Sequence, residues 1–199
     1  MENTYYYIQK EQKRTINIKY NNDLIKNHFI QLPKTLFIIP TKYNTETQKY
    51  QLNPLSIAST KHFNVLLINK MQQPHPQNYR TTTLKIYITP FGNSTQYQTC
   101  LGNELEKFYL HNNFNSIKEL SQQLIHHYWS TTFDDSYNIF QNTQIKLSFF
   151  NKWKLYTKLN KPFNPLKQIK ITHEEYLLQH LNLLPILKPL KIPNELIIP

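Results

Sequence analysis

His126 and His127 are followed eight residues later by Asp134 and Asp135, and no other stretch holds so many side chains suited to an active site. Imidazoles and carboxylates can hold a divalent metal or pass a proton between them. Adjacent residues on a helix point about 100° apart, so only one of the two histidines could readily share a site with the aspartates. Polar residues at a helix end account for the same four side chains without any chemistry. His173 and Glu174 lack the second histidine, four positions after the first, that a zinc-protease helix needs; His180 is seven residues on. With two glycines in the chain, Gly92 and Gly102, there is no phosphate-cradling loop, dinucleotide fingerprint or serine elbow. Asn93-Ser94-Thr95 matches the glycosylation sequon and reads as a turn.

Charge offers a second kind of chemistry. Between Ser136 and His173 stand Lys146, Lys152, Lys154, Lys158, Lys161, Lys167 and Lys170, with no aspartate or glutamate among them. Such a run suits a phosphate-binding surface, because each lysine near a phosphate releases counterions without reading sequence. The plainer reading is the solvated face of an amphipathic element. The whole chain has a net charge of +11, and the interval from Glu46 to Glu104 is a second acid-free segment, with Lys49, Lys61, Lys70, Arg80 and Lys85. This balance favours nucleic acid or another anionic surface as partner. Tyr156, among the lysines, is the candidate for stacking a base. The other aromatic clusters, Tyr5 to Tyr7 and Tyr128-Trp129, read as core or sheet-face residues.

The element expected to position these lysines is a hairpin over Gln144 to Leu159. Ile145, Leu147 and Phe149 alternate with polar residues, and so do Trp153, Leu155, Thr157 and Leu159. A two-residue turn would set charge into the apolar face. A three-residue loop, Phe150 to Lys152, places Phe149 opposite Trp153 and Leu147 opposite Leu155, leaving Lys146, Lys154, Lys158 and Tyr156 on the other face.

Elsewhere, strands are expected over Thr4 to Ile8, Arg14 to Tyr20, Leu36 to Ile39, Phe63 to Ile68 and Thr83 to Thr89. Asp23 to Phe29 reads as a short helix capped by Asn22, and residues 41 to 60 as loop. Met71 to Arg80, with Pro74 and Pro76, reads as an extended connection. Ser116 and Glu119 form a capping box for a helix whose Ile117, Leu120, Leu124, Ile125 and Tyr128 share one face. A shorter helix is expected over Glu104 to Tyr109, and another after the capping box Thr172 to Glu175, up to Pro185. The tail, with prolines 185, 189, 193 and 199, is expected to be an extended arm on its own core or on a neighbour. These elements make an α+β fold: an antiparallel or mixed sheet with two to four helices packed on it, in one basic domain over 1–184 followed by the extended arm over 185–199.

A single cysteine, Cys100, rules out an internal disulfide, and no apolar run approaches a membrane span or a signal sequence. The chain has one valine, one alanine, two glycines, three aspartates and nine glutamates, although such residues are ordinarily common. Codons for all of these begin with G. Plentiful Lys, Asn, Ile, Thr, Gln and Pro therefore indicate a coding strand poor in G, as in an organelle genome or an RNA virus. The leading expectation is a non-enzymatic, RNA-contacting structural protein of a ribonucleoprotein, namely a mitochondrial or other organellar ribosomal subunit. It needs no cofactor or metal, contacts RNA through the lysines and Tyr156, meets neighbouring proteins through its C-terminal arm, and does not insert in a membrane. Three alternatives stay open: a viral accessory or matrix protein, a soluble peripheral subunit of a respiratory complex, and a metal-dependent hydrolase or nuclease using the His-Asp cluster.

Overall fold

The computed structural model describes residues 1–20, 24–53, 63–72, 80–91, 99–134, 143–163 and 189–199. The architecture is α+β: a mixed, curled sheet with helices packed on it.

The first four strands are long: β1 (Glu2–Gln9), β2 (Gln12–Tyr20), β3 (Leu24–Leu32) and β4 (Thr35–Asn44). They are followed by β5 (Lys49–Leu52), β6 (Asn64–Gln72), β7 (Thr81–Ile88), α1 (Asn103–His111) and α2 (Ile117–Ser130). The short β8 (Thr132–Asp134) leads to α3 (Thr143–Lys158), then β9 (Leu190–Pro193), a single 3-10 turn (Asn194–Leu196) and β10 (Ile197–Ile198). One sheet has the order β10-β1-β4-β6-β7-β9. The second edge of β4 is shared: its first half pairs with β6 and its second half with β5. The other sheet is β3-β2-β8. Pairing is antiparallel except for β1 with β10 and β2 with β8.

Three expectations require correction. Asp23 to Phe29 is not a helix, because residues 24–32 form β3 and pair with β2 from Tyr20↔Leu24 to Gln12↔Leu32. The short repeat Leu24, Ile25, His28, Phe29 fits helical spacing. The alternation His28, Ile30, Leu32 fits a strand better, since all three are buried. Asn22, the expected cap, lies outside the described residues, in a stretch Asn21-Asn22-Asp23 of turn composition. Residues 41–60 are not uniformly loop. In the described part, β4 runs on to Asn44 and returns as β5, and between them the Asn44 side chain accepts from the N–H groups of Glu46 (2.9 Å) and Thr47 (3.2 Å).

The third correction concerns Gln144 to Leu159, which is a helix and not a hairpin. Phe149, Phe150, Trp153 and Thr157 are all buried, and their spacing of one, three and four residues makes a single helical stripe. Residues 150–152 offer no glycine, and Asn151 alone, between Phe150 and Lys152, is a weak turn signal. The helix has a well-defined stop instead. Asn160 takes a left-handed backbone (φ 51°), the Lys161 N–H donates to Tyr156 O at 2.9 Å, and the Asn160 N–H donates to Thr157 O at 3.1 Å. These two bonds are the Schellman arrangement, and Pro162 follows it.

Of the connection expected over Met71 to Arg80, Met71 and Gln72 instead end β6, paired with Leu84 and Thr83, and residues 73–79 lie outside the described residues. Most other expected strands and helices lie where the patterns placed them. The five expected strands correspond to β1, β2, β4, β6 and β7, and the helix signals at Glu104 and Ser116 to α1 and α2. The Ser116 side chain accepts from the Glu119 N–H at 3.1 Å, and the Glu119 carboxylate accepts from the Asn115 N–H at 3.0 Å, one residue before the cap. In the described part of the tail, β9 extends the sheet beside β7 and β10 lies beside β1, with Ile192 and Ile198 buried. The helix expected between Thr172 and Pro185 lies outside the described residues.

Large rings fill a core that has almost no valine or alanine. Phe37 of β4 meets Tyr128 and Trp129 of α2, and Phe91 meets Trp129 edge-on, lies tilted against Phe133 and stacks on Phe150 and Trp153. This chain of ring contacts runs from the large sheet through α2 to α3. Trp129 also ties β1 to β2: its indole N–H donates to the Gln9 side-chain Oε1 at 2.9 Å, and the Arg14 guanidinium lies 5.6 Å from its ring centre. No described helix is long and apolar enough to cross a membrane.

Candidate nucleic-acid interface

The lysine-rich segment is carried by α3, and α3 is seated on the edge of the smaller sheet. Gln31 of β3 turns its N–H and C=O away from β2. Thr157 Oγ1 accepts the Gln31 N–H at 2.7 Å, and the Trp153 indole N–H donates to Gln31 O at 3.0 Å. Two side chains one helical turn apart thus replace a missing neighbouring strand at that residue. Thr157 also donates to Trp153 O at 3.0 Å, which fixes its rotamer. An otherwise exposed strand edge is covered.

The docked stripe settles which residues face outward. Lys152, Lys154, Lys158 and Lys161 are exposed, and Lys154 and Lys158 share one row at helical spacing. Lys146 stands in the first turn of α3. Lys167 and Lys170 lie outside the described residues. Tyr156 is half-buried, its ring 5.4 Å from Phe163 and 6.0 Å from the Lys152 ammonium, so it is partly occupied by its own chain.

The packing also brings in lysines that the sequence segment does not contain. Lys13 on β2 donates from Nζ to Asn160 Oδ1 at 2.6 Å, joining the strand's outer face to the end of α3. Lys26 on β3 and Lys154 on α3 both act on the buried ring of His28. Burial first, then these two cations, pushes the His28 imidazole down to about 4. His28 Nε2 lies 3.1 Å from the Tyr20 hydroxyl, and Nδ1 has no partner. A proton on Nε2 donates to Tyr20 and leaves only a lone pair unmet, the cheaper arrangement. Pairing across β2 and β3 supplied this gathering. A helix over 23–29 would not form it.

The histidine-aspartate cluster is only partly assembled among the described residues. His126 is exposed, whereas His127 Nδ1 is 2.7 Å from the Tyr109 hydroxyl. Burial and the neighbouring His126 lower the basicity of His127, and burial of Tyr109 raises its hydroxyl well above the ordinary range. Asp134 belongs to β8, where its backbone is in register with Lys19, and Asp135 lies outside the described residues. No group of three potential metal ligands occurs among the described residues. Tyr128 and Trp129 are buried in the core, and Tyr5, Tyr6 and Tyr7 are half-buried.

Comparison of the chain with protein-family models, with curated proteins and with solved structures finds no match.

Proposed function

We propose that this protein is a non-enzymatic, RNA-contacting structural component of a ribonucleoprotein, an organellar ribosomal subunit in particular. The observation that carries the reading is the exposed lysine row of α3, which lies in a sequence interval with no carboxylates and is extended by Lys13 through Asn160. A rigidly docked helix holds its ammonium groups at fixed positions, as phosphate contacts require, and point charges suit a backbone-reading role. The organellar assignment rests on the composition, which is short of residues with G-initial codons. Other proteins of the particle would be its remaining neighbours.

The test is RNA binding by the double variant Lys154→Gln/Lys158→Gln. Both side chains are exposed, so the thermal midpoint should stay within a degree or two while affinity for a structured RNA falls at least severalfold. Unchanged affinity in a folded variant would contradict the reading.

A further inference from the structure

The outer face of the β2–β3 ribbon has a composition that neither strand's core face explains. Register places Lys13 opposite Gln31, Thr15 opposite Phe29, Asn17 opposite Asn27 and Lys19 opposite Ile25 on this face. From β2 and β3 it has two lysines, a set of amide and hydroxyl side chains and the exposed Ile25, and the neighbouring β8 sets Asp134 in register with Lys19. Phe29 stands in the middle, 46% exposed, opposite an exposed threonine too small to cover it. Among the described residues its ring makes no aromatic contact, whereas Phe37, Phe91 and Trp153 are tied into the core network. Large apolar rings are ordinarily buried, so one held open between hydrogen-bonding and cationic side chains calls for a partner with both a flat face and negative charge.

Unpaired RNA has both. We infer that this face binds a single-stranded RNA segment, with one base stacked on Phe29 and the adjoining phosphates near Lys13 and Lys19. The inference rests on the RNA reading above and specifies the RNA class. A sheet surface can present a ring to a splayed base, whereas bases paired within an A-form helix have no free face to stack. Asn17, Asn27 and Gln31 carry amides of the kind that hydrogen-bond base edges. The Lys13–Asn160 contact joins this face to the lysines of α3, so one strand of RNA can pass from the stacking position onto the helix.

The experiment compares Phe29→Ala with Lys154→Gln/Lys158→Gln on two probes, an unstructured oligoribonucleotide and a perfect RNA duplex of equal length, at fixed salt. Phe29→Ala should bind the single strand roughly fivefold to a hundredfold more weakly, the range expected for losing one stacked base. Its duplex binding should not change, and Phe29→Trp should restore single-strand binding. The lysine variant should weaken both probes. Equal effects of Phe29→Ala on both probes, or a preference of the native protein for duplex, would overturn the inference while leaving RNA binding intact. Failure to bind either probe would overturn both readings. Salt-insensitive self-association that Phe29→Ala abolishes would instead make the face a protein contact and refute the inference. Phe29 is exposed, so unchanged thermal midpoints of the variants would show that folding is not the cause.

Discussion

His28 is a buried imidazole flanked by two lysines, and it makes the stability of the β3–α3 contact sensitive to acid. Its basicity falls to about 4, below the ordinary histidine value of 6.5, because burial and then Lys154 and Lys26 disfavour the cation. The folded state therefore binds this proton less readily than the unfolded chain. The stability contributed by keeping His28 neutral is present above pH 6.5 and is lost as the pH falls toward 4 and below. By pH 4 the loss should be on the order of 2–3 kcal/mol. Urea unfolding from pH 7 to 4 should show the midpoint falling, and His28→Gln, which keeps a hydrogen-bonding group for Tyr20, should flatten most of that slope. Equal slopes in the two proteins would refute this role for His28. None of this could be read from the sequence, where His28 is one of eight scattered histidines; its burial depends on β3 being a strand.

At the scale of elements, α3 depends on two side chains that serve a strand edge. Thr157→Val keeps the shape but removes the acceptor of the Gln31 N–H, and should cost about 1–2 kcal/mol in chemical denaturation. Thr157→Ser should recover most of it, and a valine variant as stable as the native protein would show that the contact contributes little. The lysines were legible in the sequence as an acid-free run, but the element bearing them was not. Both halves of Gln144 to Leu159 alternate as strands do, and that alternation coexists with a helical stripe at Phe149, Phe150, Trp153 and Thr157. The stop signal was available in Asn160 followed by Pro162, and it outweighs the alternation because a hairpin had only Asn151, with no glycine, for its turn. The helix at Ser116 was legible because its cap and its apolar face agree. β3 was not, because four residues at helical spacing overlap a longer strand pattern that only pairing with β2 reveals.

Across the whole molecule, aromatic rings take the space that valine and alanine fill in ordinary cores, and they link the large sheet to α2 and α3. The α+β class was legible because most strands and the capped helix α2 carry local signals. The division into two sheets was not, since it depends on pairings such as β2 with β8 that bring distant residues together. If the protein works within a ribonucleoprotein, the native chain should sediment with an RNA-containing particle and be released by ribonuclease; release by mild detergent alone would favour a membrane complex. The most direct measurement of RNA binding through the lysine surface is affinity for a single-stranded RNA across a salt series. Three to five phosphate contacts predict that log affinity falls linearly against log salt with a slope of about −2 to −4. Lys154→Gln/Lys158→Gln should make it shallower by about 1.4, or roughly 0.7 per lost contact. A flat dependence in the native protein, or a slope that the double variant leaves unchanged, would contradict the account.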